Sequence, residues 1–282
     1  MMTEGSKYRK AGAKKRMASP VKRKKSIMKK PVVDYTKLRP SNITSPEYRH
    51  LLWLLGWVWY LAMYFLTERL ISVERCHIVH SVMDDIIPFN EYFLIFYGSW
   101  YLLIVATLLY FVLYDPKSLV QIQKFLILTQ VIGVAVYLIW PSVQYLRPTE
   151  FPRENLFTAM MGFIYGVDTP TGVCPSLHCG FSLAILSTWL KKEDAKLWWK
   201  IVLVPWVLLI CISVCFVKQH SFTDVWTAFL MCGFIEVVLY GKYWRKKLWK
   251  REPKTNVVPA LSNGAVMEDV ASDVMERKDG RR

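Results

Sequence analysis

Acidic residues are scarce where basic ones crowd. The first 40 positions hold 14 Lys and Arg against only Glu4 and Asp34. They are also nearly free of large apolar side chains, so they bury too little surface to offset the entropy of ordering. Segment 1–48 is expected to be a disordered basic tail and 246–282 a polar one, both cytoplasmic. No cleavable signal sequence is expected either, because the first apolar run starts near Leu51, far behind this tail. The six cysteines, Cys76, Cys174, Cys179, Cys211, Cys215 and Cys232, contain no pair at CxxC spacing. No metal site and no cofactor are expected from them. Cys211 and Cys215, four apart in an apolar run, read as packing residues. Cys76 and Cys174 read either as free thiols or as a disulfide on an oxidising side.

What is present is apolar length. Of 282 residues, 53% are apolar and 15% aromatic, with 12 Trp and a formal charge of +15. The mean hydropathy of +0.22 lies above that expected of a soluble domain of this length. Tryptophan in such numbers suits membrane-interface belts. End-loaded positive charge calls for an acidic partner, either nucleic acid or the anionic inner leaflet of a membrane. The tail offers only Tyr8 and Tyr35 for stacking on bases, and long apolar runs fill the chain between its ends. The expected partner of the basic tails is the anionic leaflet, with no nucleic acid. Oligomeric state is open.

Six apolar runs follow, at 51–66, 92–114, 122–140, 177–190, 201–217 and 225–240. A hydrocarbon core takes about 20 helical residues, with about 17 as a lower limit. The first, fourth and sixth runs reach it only with help from their flanks. Closed helices are what satisfy the backbone in lipid, so the fold class is all-α, a polytopic bundle of six transmembrane helices spanning 49–245. Orientation follows from Lys and Arg in short loops. Lys117 and Lys124, and then Lys191, Lys192, Lys196 and Lys200, mark the same side as the two basic tails, which assigns that side to the cytoplasm. The loops 67–91, 141–176 and 218–224 then share the extracytoplasmic or lumenal side.

Two of those loops hold the candidate chemistry. The stretch 141–178 is too polar to span and too long for a bare linker; it carries Arg147, Arg153, Ser176 and His178. Loops of that length in compact proteins are usually functional. The second segment, VKQHSFTDV at 217–225, places His220 and Asp224 four apart, on one face of a helix entry. A carboxylate there holds one imidazole nitrogen and raises the basicity of the other. One imidazole attacks phosphorus, a second protonates the leaving oxygen, and arginines offset phosphate charge through paired donors. Ser176 and free backbone N–H groups at a helix start add donors for an anion.

PSLH at 175–178 and KQHSFTD at 218–224 resemble the second and third motifs of the type 2 phosphatidic acid phosphatase superfamily, usually written P-S-G-H and S-R-x5-H-x3-D. The variant with PSLH and no third-motif Arg resembles the branch of bacterial membrane phosphatases and inositol phosphorylceramide or sphingomyelin synthases. The resemblance covers about 50–245 and leaves out the tails. It implies six transmembrane helices and a site open to the extracytoplasmic face. It implies that His220 is the nucleophile that forms a phosphohistidine, Asp224 its orienting carboxylate, His178 the general acid and Ser176 a phosphate-binding hydroxyl. Arg153 corresponds to the Arg of the first motif, K-x6-R-P. The sequence departs from the family at Glu154 (Pro expected), Leu146 (Lys expected) and Val214 (Arg expected), although Ser213 keeps the preceding Ser. Arg147 and Lys218 are the nearby cations that would replace the missing charge.

Each residue also has a structural reading. His178 can be a helix-end histidine, and His220 with Asp224 a capping pair. Arg147 and Arg153 can be interface anchors, and Lys218 a lysine snorkelling at the membrane edge. His77 and His80 lack a third ligand at metal spacing. Asp84, Asp85 and Glu91 read as a solvated loop, or as groups that position a head group. The functional expectation is a metal-independent phosphatase acting on a lipid or amphipathic phosphate monoester or diphosphate. The alternative is a phosphotransferase that moves a phospho-head group to a lipid alcohol. A catalytically silent scaffold whose basic tails recruit partners is the third reading.

Overall fold

The computed structural model describes residues 30–249, and the tail readings for positions outside that range lie outside the described residues. Eight α-helices are present among the described residues: α1 (Leu55–Leu70), α2 (Val82–Ile86), α3 (Leu94–Tyr114), α4 (Pro116–Ile139), α5 (Leu156–Val167), α6 (Leu177–Lys191), α7 (Leu197–Phe216) and α8 (Phe222–Trp249). Two short strands, β1 (His77–Ile78) and β2 (Ser142–Val143), pair in parallel with His77 opposite Ser142.

Five helical stretches are long and apolar enough to cross a membrane: Arg49–Thr67, Glu91–Tyr114, Pro116–Ile139, Leu197–Phe216 and Phe222–Lys247. The chain is thus a mostly helical, multi-pass membrane protein. The expected count of six differs at the fourth run. There α6 has 15 residues, about 22 Å at 1.5 Å per residue, against a hydrocarbon core of roughly 30 Å. The physical reason is its position. α6 packs on α4, α7 and α8, and Phe181, Ala184 and Ile185 are fully enclosed. The helices around it supply most of the bundle's outer surface. That outer surface is apolar where α3 exposes Leu102 and Val105, α7 exposes Ile201 and α8 exposes Phe234 and Val237. Contiguous apolar surface of this kind belongs in lipid.

Local chemistry sets the helix starts. Asp115 caps α4, accepting from the Ser118 N–H at 3.1 Å, with Pro116 in the first helical position. Asn155 caps α5 and accepts from the Thr158 N–H at 3.0 Å. Ser176 caps α6, accepting from the Cys179 N–H at 3.4 Å. Close helix contacts need small residues. A Cβ at Gly180 on α6 would meet Thr129 Cγ2 of α4 at 2.7 Å, and one at Gly133 on α4 would meet Leu177 Cδ2 of α6 at 2.7 Å.

The expected tail 1–48 differs at its end. Residues 34–48 form short 3-10 turns that pack on the start of the bundle. Tyr35 Oη donates to the Val112 carbonyl at 2.6 Å, and Tyr48 Oη donates to the Asp34 carbonyl at 2.9 Å. Apolar Val33, Tyr35 and Tyr48 supply the burial that the earlier lysine-rich stretch lacks. At this same end Lys192 bridges Asp115 at 2.5 Å and Asp194 at 2.7 Å. The segment 71–93, the loop 140–176 and the turn 217–221 gather at the opposite end.

Candidate functional site

The turn 217–221 is built by the end of α7. The Val214 carbonyl accepts from Gln219 N–H at 3.0 Å and from His220 N–H at 3.1 Å, which closes the helix. This requires Lys218 to adopt a φ of +52°, a left-handed conformation that costs a non-glycine residue about 1–2 kcal/mol. The Lys218 ammonium holds it there by donating to the carbonyls of Asp84 at 2.8 Å and Ile87 at 2.5 Å. Lys218 is therefore a buried brace between two loops. Its donors are spent on backbone, because a lysine in an enclosed turn must find acceptors.

That turn presents His220. Its Nδ1 lies 3.3 Å from Asp224 Oδ2, and Asp224 is fully enclosed. A carboxylate accepts, so Nδ1 carries the hydrogen, and in the neutral ring Nε2 then has the lone pair. Asp224 Oδ2 also accepts from the Ser221 N–H at 2.9 Å, and its carbonyl accepts from the Ser176 N–H at 3.0 Å. That last bond ties the two motif segments together. The ring of His178 lies 5.7 Å from that of His220, at 64°. It also stacks on Tyr97 at 4.7 Å and lies 4.3 Å from Trp100, both on α3. His178 Nε2 is enclosed with no hydrogen-bond partner. Buried polar atoms without partners are rare.

The cations expected to bind phosphate are placed differently. Arg147 does border the site: its Nη2 donates to Gln219 Oε1 at 2.7 Å. Most of its other donors hold the far end of the loop, reaching the carbonyls of Tyr165 at 3.1 Å and Asp168 at 2.8 Å. Its Nε remains enclosed and unpartnered, and burial pulls the guanidinium down from its ordinary pKa. Arg153 is not brought to the histidines by any contact. It forms a bidentate pair with Glu91, both bonds 2.8 Å, and those bonds raise its pKa. Ser176 is fully buried, its hydroxyl capping α6. Val214, where the motif expects Arg, is fully enclosed in the apolar core.

Asp84 and Glu91, read from sequence as part of a solvated or interfacial loop, are both buried, at 4% and 0% exposed. Asp84 supports the turn that presents His220. Its Oδ2 accepts from Ser221 Oγ at 2.5 Å and Ser81 N–H at 2.8 Å, and its Oδ1 from Phe222 N–H at 2.8 Å. It thus caps the entry to α8 next to His220. Its neighbour Asp85 stays exposed and meets His80 at 2.9 Å. Gln144 is a second such support, donating to the Lys218 carbonyl at 3.1 Å. Neither has a spacing signal, since both are more than 70 residues from the turn they hold.

His77 stacks on Trp140 at 5.0 Å. No group of three or more His, Cys, Asp or Glu positioned for a metal occurs among the described residues. Cys76 and Cys174 are both free thiols, and Cys174 Sγ lies 3.3 Å from Thr227 Oγ1. No protein family, curated protein or solved structure matches this chain.

Proposed function

We propose that the chain is a metal-independent membrane phosphatase that hydrolyses a lipid or amphipathic phosphate ester through a phosphohistidine. The observation that carries this reading is the pairing of His220, oriented by buried Asp224, with a second imidazole 5.7 Å away. Structural histidines seldom come as an oriented pair at the mouth of a bundle, and phosphoryl transfer needs a nucleophile and an acid together.

In this mechanism His220 Nε2 attacks phosphorus, and the bond to the leaving oxygen breaks. Burial draws the pKa of the His178 imidazole down to about 3, so the proton it passes to that oxygen arrives with the phosphate monoanion, whose charge favours the imidazolium. Neutral His178 then takes a proton from water, the hydroxide attacks phosphorus, and the phosphorus–nitrogen bond breaks to release phosphate. Asp224 steadies the positive charge on His220 throughout. The phosphate contacts in this reading are His178 and the Arg147 guanidinium, which borders the site through Gln219; Lys218 and Arg153 act as braces of the site.

A lipid substrate is favoured by α5. Leu156, Met160, Phe163 and Val167 are all exposed along one face, while Thr158 and Met161 are buried on another. A short apolar helix with such an exposed face rests against lipid, beside the loop that Arg147 anchors. In the proposed orientation α6, shielded from lipid by its neighbours, carries the chain between the two faces as a short sixth crossing, so that both tails are cytoplasmic and the site is extracytoplasmic or lumenal. The resemblance to the type 2 phosphatidic acid phosphatase superfamily supports the same assignment. Transfer of a phospho-head group to a lipid alcohol uses the same first step.

The test is the purified chain in detergent with a panel of lipid phosphates, a chelator present, and an acceptor alcohol added or withheld. Phosphate release that His220→Ala abolishes in a folded protein is the expected result. Activity that survives His220→Ala, or a strict need for Mg²⁺, overturns the mechanism. Movement of a labelled head group to diacylglycerol or ceramide without phosphate release selects the transferase.

A further inference from the structure

A cavity lies at the end of the bundle remote from the histidines. It is a groove of about 1080 Å³ between the segment leading into α1 and the first half of α4. Arg49, Lys117 and Lys124 line it against the single acid Glu47. All three cations are exposed, and none has an ion-pair partner among the described residues. Two lysines at this end differ: Lys191 pairs with Glu236, and Lys192 with Asp115 and Asp194. The groove gathers three exposed cations that have no acid partner among the described residues.

Its lining is graded. Lys117 and Lys124 are seven apart on α4, which places them on one face about 10 Å apart along the axis. Lys124 Nζ lies 5.6 Å from the Trp53 ring. Past Lys124 the lining turns aliphatic at Ile127, which lies so close to Gly56 that a Cβ there would meet Ile127 Cγ1 at 2.7 Å. Cations at the mouth, an indole between and an aliphatic floor match one molecule with a phosphate head and an acyl chain. Guanidinium and ammonium groups suit the phosphate, and tryptophan suits the depth at which head group and chain meet. A free phosphate has no use for the apolar floor.

We propose that this groove is a binding site for an anionic phospholipid of the leaflet opposite the His178–His220 site. Its phosphate sits among Arg49, Lys117 and Lys124, and its chain runs past Trp53 toward Ile127. The proposal does not depend on the chemistry of the histidines; only the naming of that leaflet as cytoplasmic follows from the orientation above.

Native mass spectrometry of the full-length chain tests it, with phosphatidylglycerol, phosphatidylcholine and inorganic phosphate as separate probes. One phosphatidylglycerol should be retained at least about tenfold more strongly than phosphatidylcholine. The combined substitution Arg49→Gln, Lys117→Gln and Lys124→Gln should erase that preference, and so should Gln121→Glu, which leaves the three cations and adds a carboxylate to the lining. Neutralising the tail cations at 22–25 should leave it intact. The proposal is overturned if the preference survives both groove variants, if it vanishes with the tail substitutions, or if inorganic phosphate at equal concentration displaces the lipid.

Discussion

Replacing Asp84 by Asn keeps the shape of the side chain and removes its ability to accept on both oxygens. In the native protein the two oxygens take hydrogen bonds from Ser221 Oγ, Ser81 N–H, Ser81 Oγ and Phe222 N–H, at 2.5 to 3.1 Å. An amide has one acceptor oxygen. Turned toward Phe222 it sets its NH₂ against the Ser81 N–H; turned the other way it sets it against the Phe222 N–H. Either way a buried donor loses its partner, at about 1–3 kcal/mol. The remaining bonds lose their charge assistance, roughly half their strength. Together this gives about 2–4 kcal/mol, a fall in the unfolding midpoint of roughly 4–16 °C for a domain of this size. Asp84 also fixes Ser221, whose N–H holds Asp224, so His220 loses its seat. A misplacement of ~1 Å is able to cost about 100-fold in rate. The control is Asp85→Asn next door, whose side chain is 67% exposed and meets only His80; it should change stability by less than about 0.5 kcal/mol. Thermal unfolding in detergent and phosphate release measure both. Equal behaviour of the two variants refutes the capping role.

Other outcomes follow from the packing and charge described above. Gly180→Ala should lower the unfolding midpoint more than Gly133→Ala. The new methyl at 180 meets Thr129 Cγ2, whose hydroxyl is tied to the Phe125 carbonyl at 2.9 Å, whereas the one at 133 meets the flexible end of Leu177; the reverse order in calorimetry contradicts this. Asp115→Asn keeps the α4 cap but loses the Lys192 pair. Burial works to raise the Asp115 pKa, and Lys192 with Ser118 outweighs it and leaves the value lowered. Its stabilisation is present above the ordinary carboxylate pKa of about 4 and fades as pH falls through the lowered folded value. The midpoints of wild type and Asp115→Asn should thus differ at neutral pH and converge below about pH 4. Arg153→Ala should lower the unfolding midpoint, because the buried Glu91 carboxylate loses both guanidinium bonds and keeps the Asn155 amide as its side-chain donor at 2.9 Å. An unchanged midpoint with a raised KM would instead make Arg153 a substrate contact.

Much of the architecture is legible from composition. Apolar runs and loop charges mark helices at each expected place, because period and hydrophobicity act locally. The run at 177–190 is the exception. Its apolar length resembles a short span, yet its neighbours surround it, and burial among helices cannot be read from the run itself. At the site, the i,i+4 spacing of His220 and Asp224 is local and predicts their contact. His178 joins them through a bond from the Ser176 N–H to the Asp224 carbonyl, which no spacing reveals.

The sequence by itself determined that the chain is a multi-pass helical membrane protein, and that an imidazole–carboxylate pair stands at a helix entry. Both follow from neighbours within a few turns. Only the tertiary structure decided the fate of the charged residues. Lys218, Arg153 and Asp84 each find partners 60 or more residues away, so a lysine read as a phosphate contact becomes a brace and an acid read as solvated becomes a cap. A charge's role depends on which opposite or acceptor group the fold brings within about 3 Å, and that proximity is a property of packing.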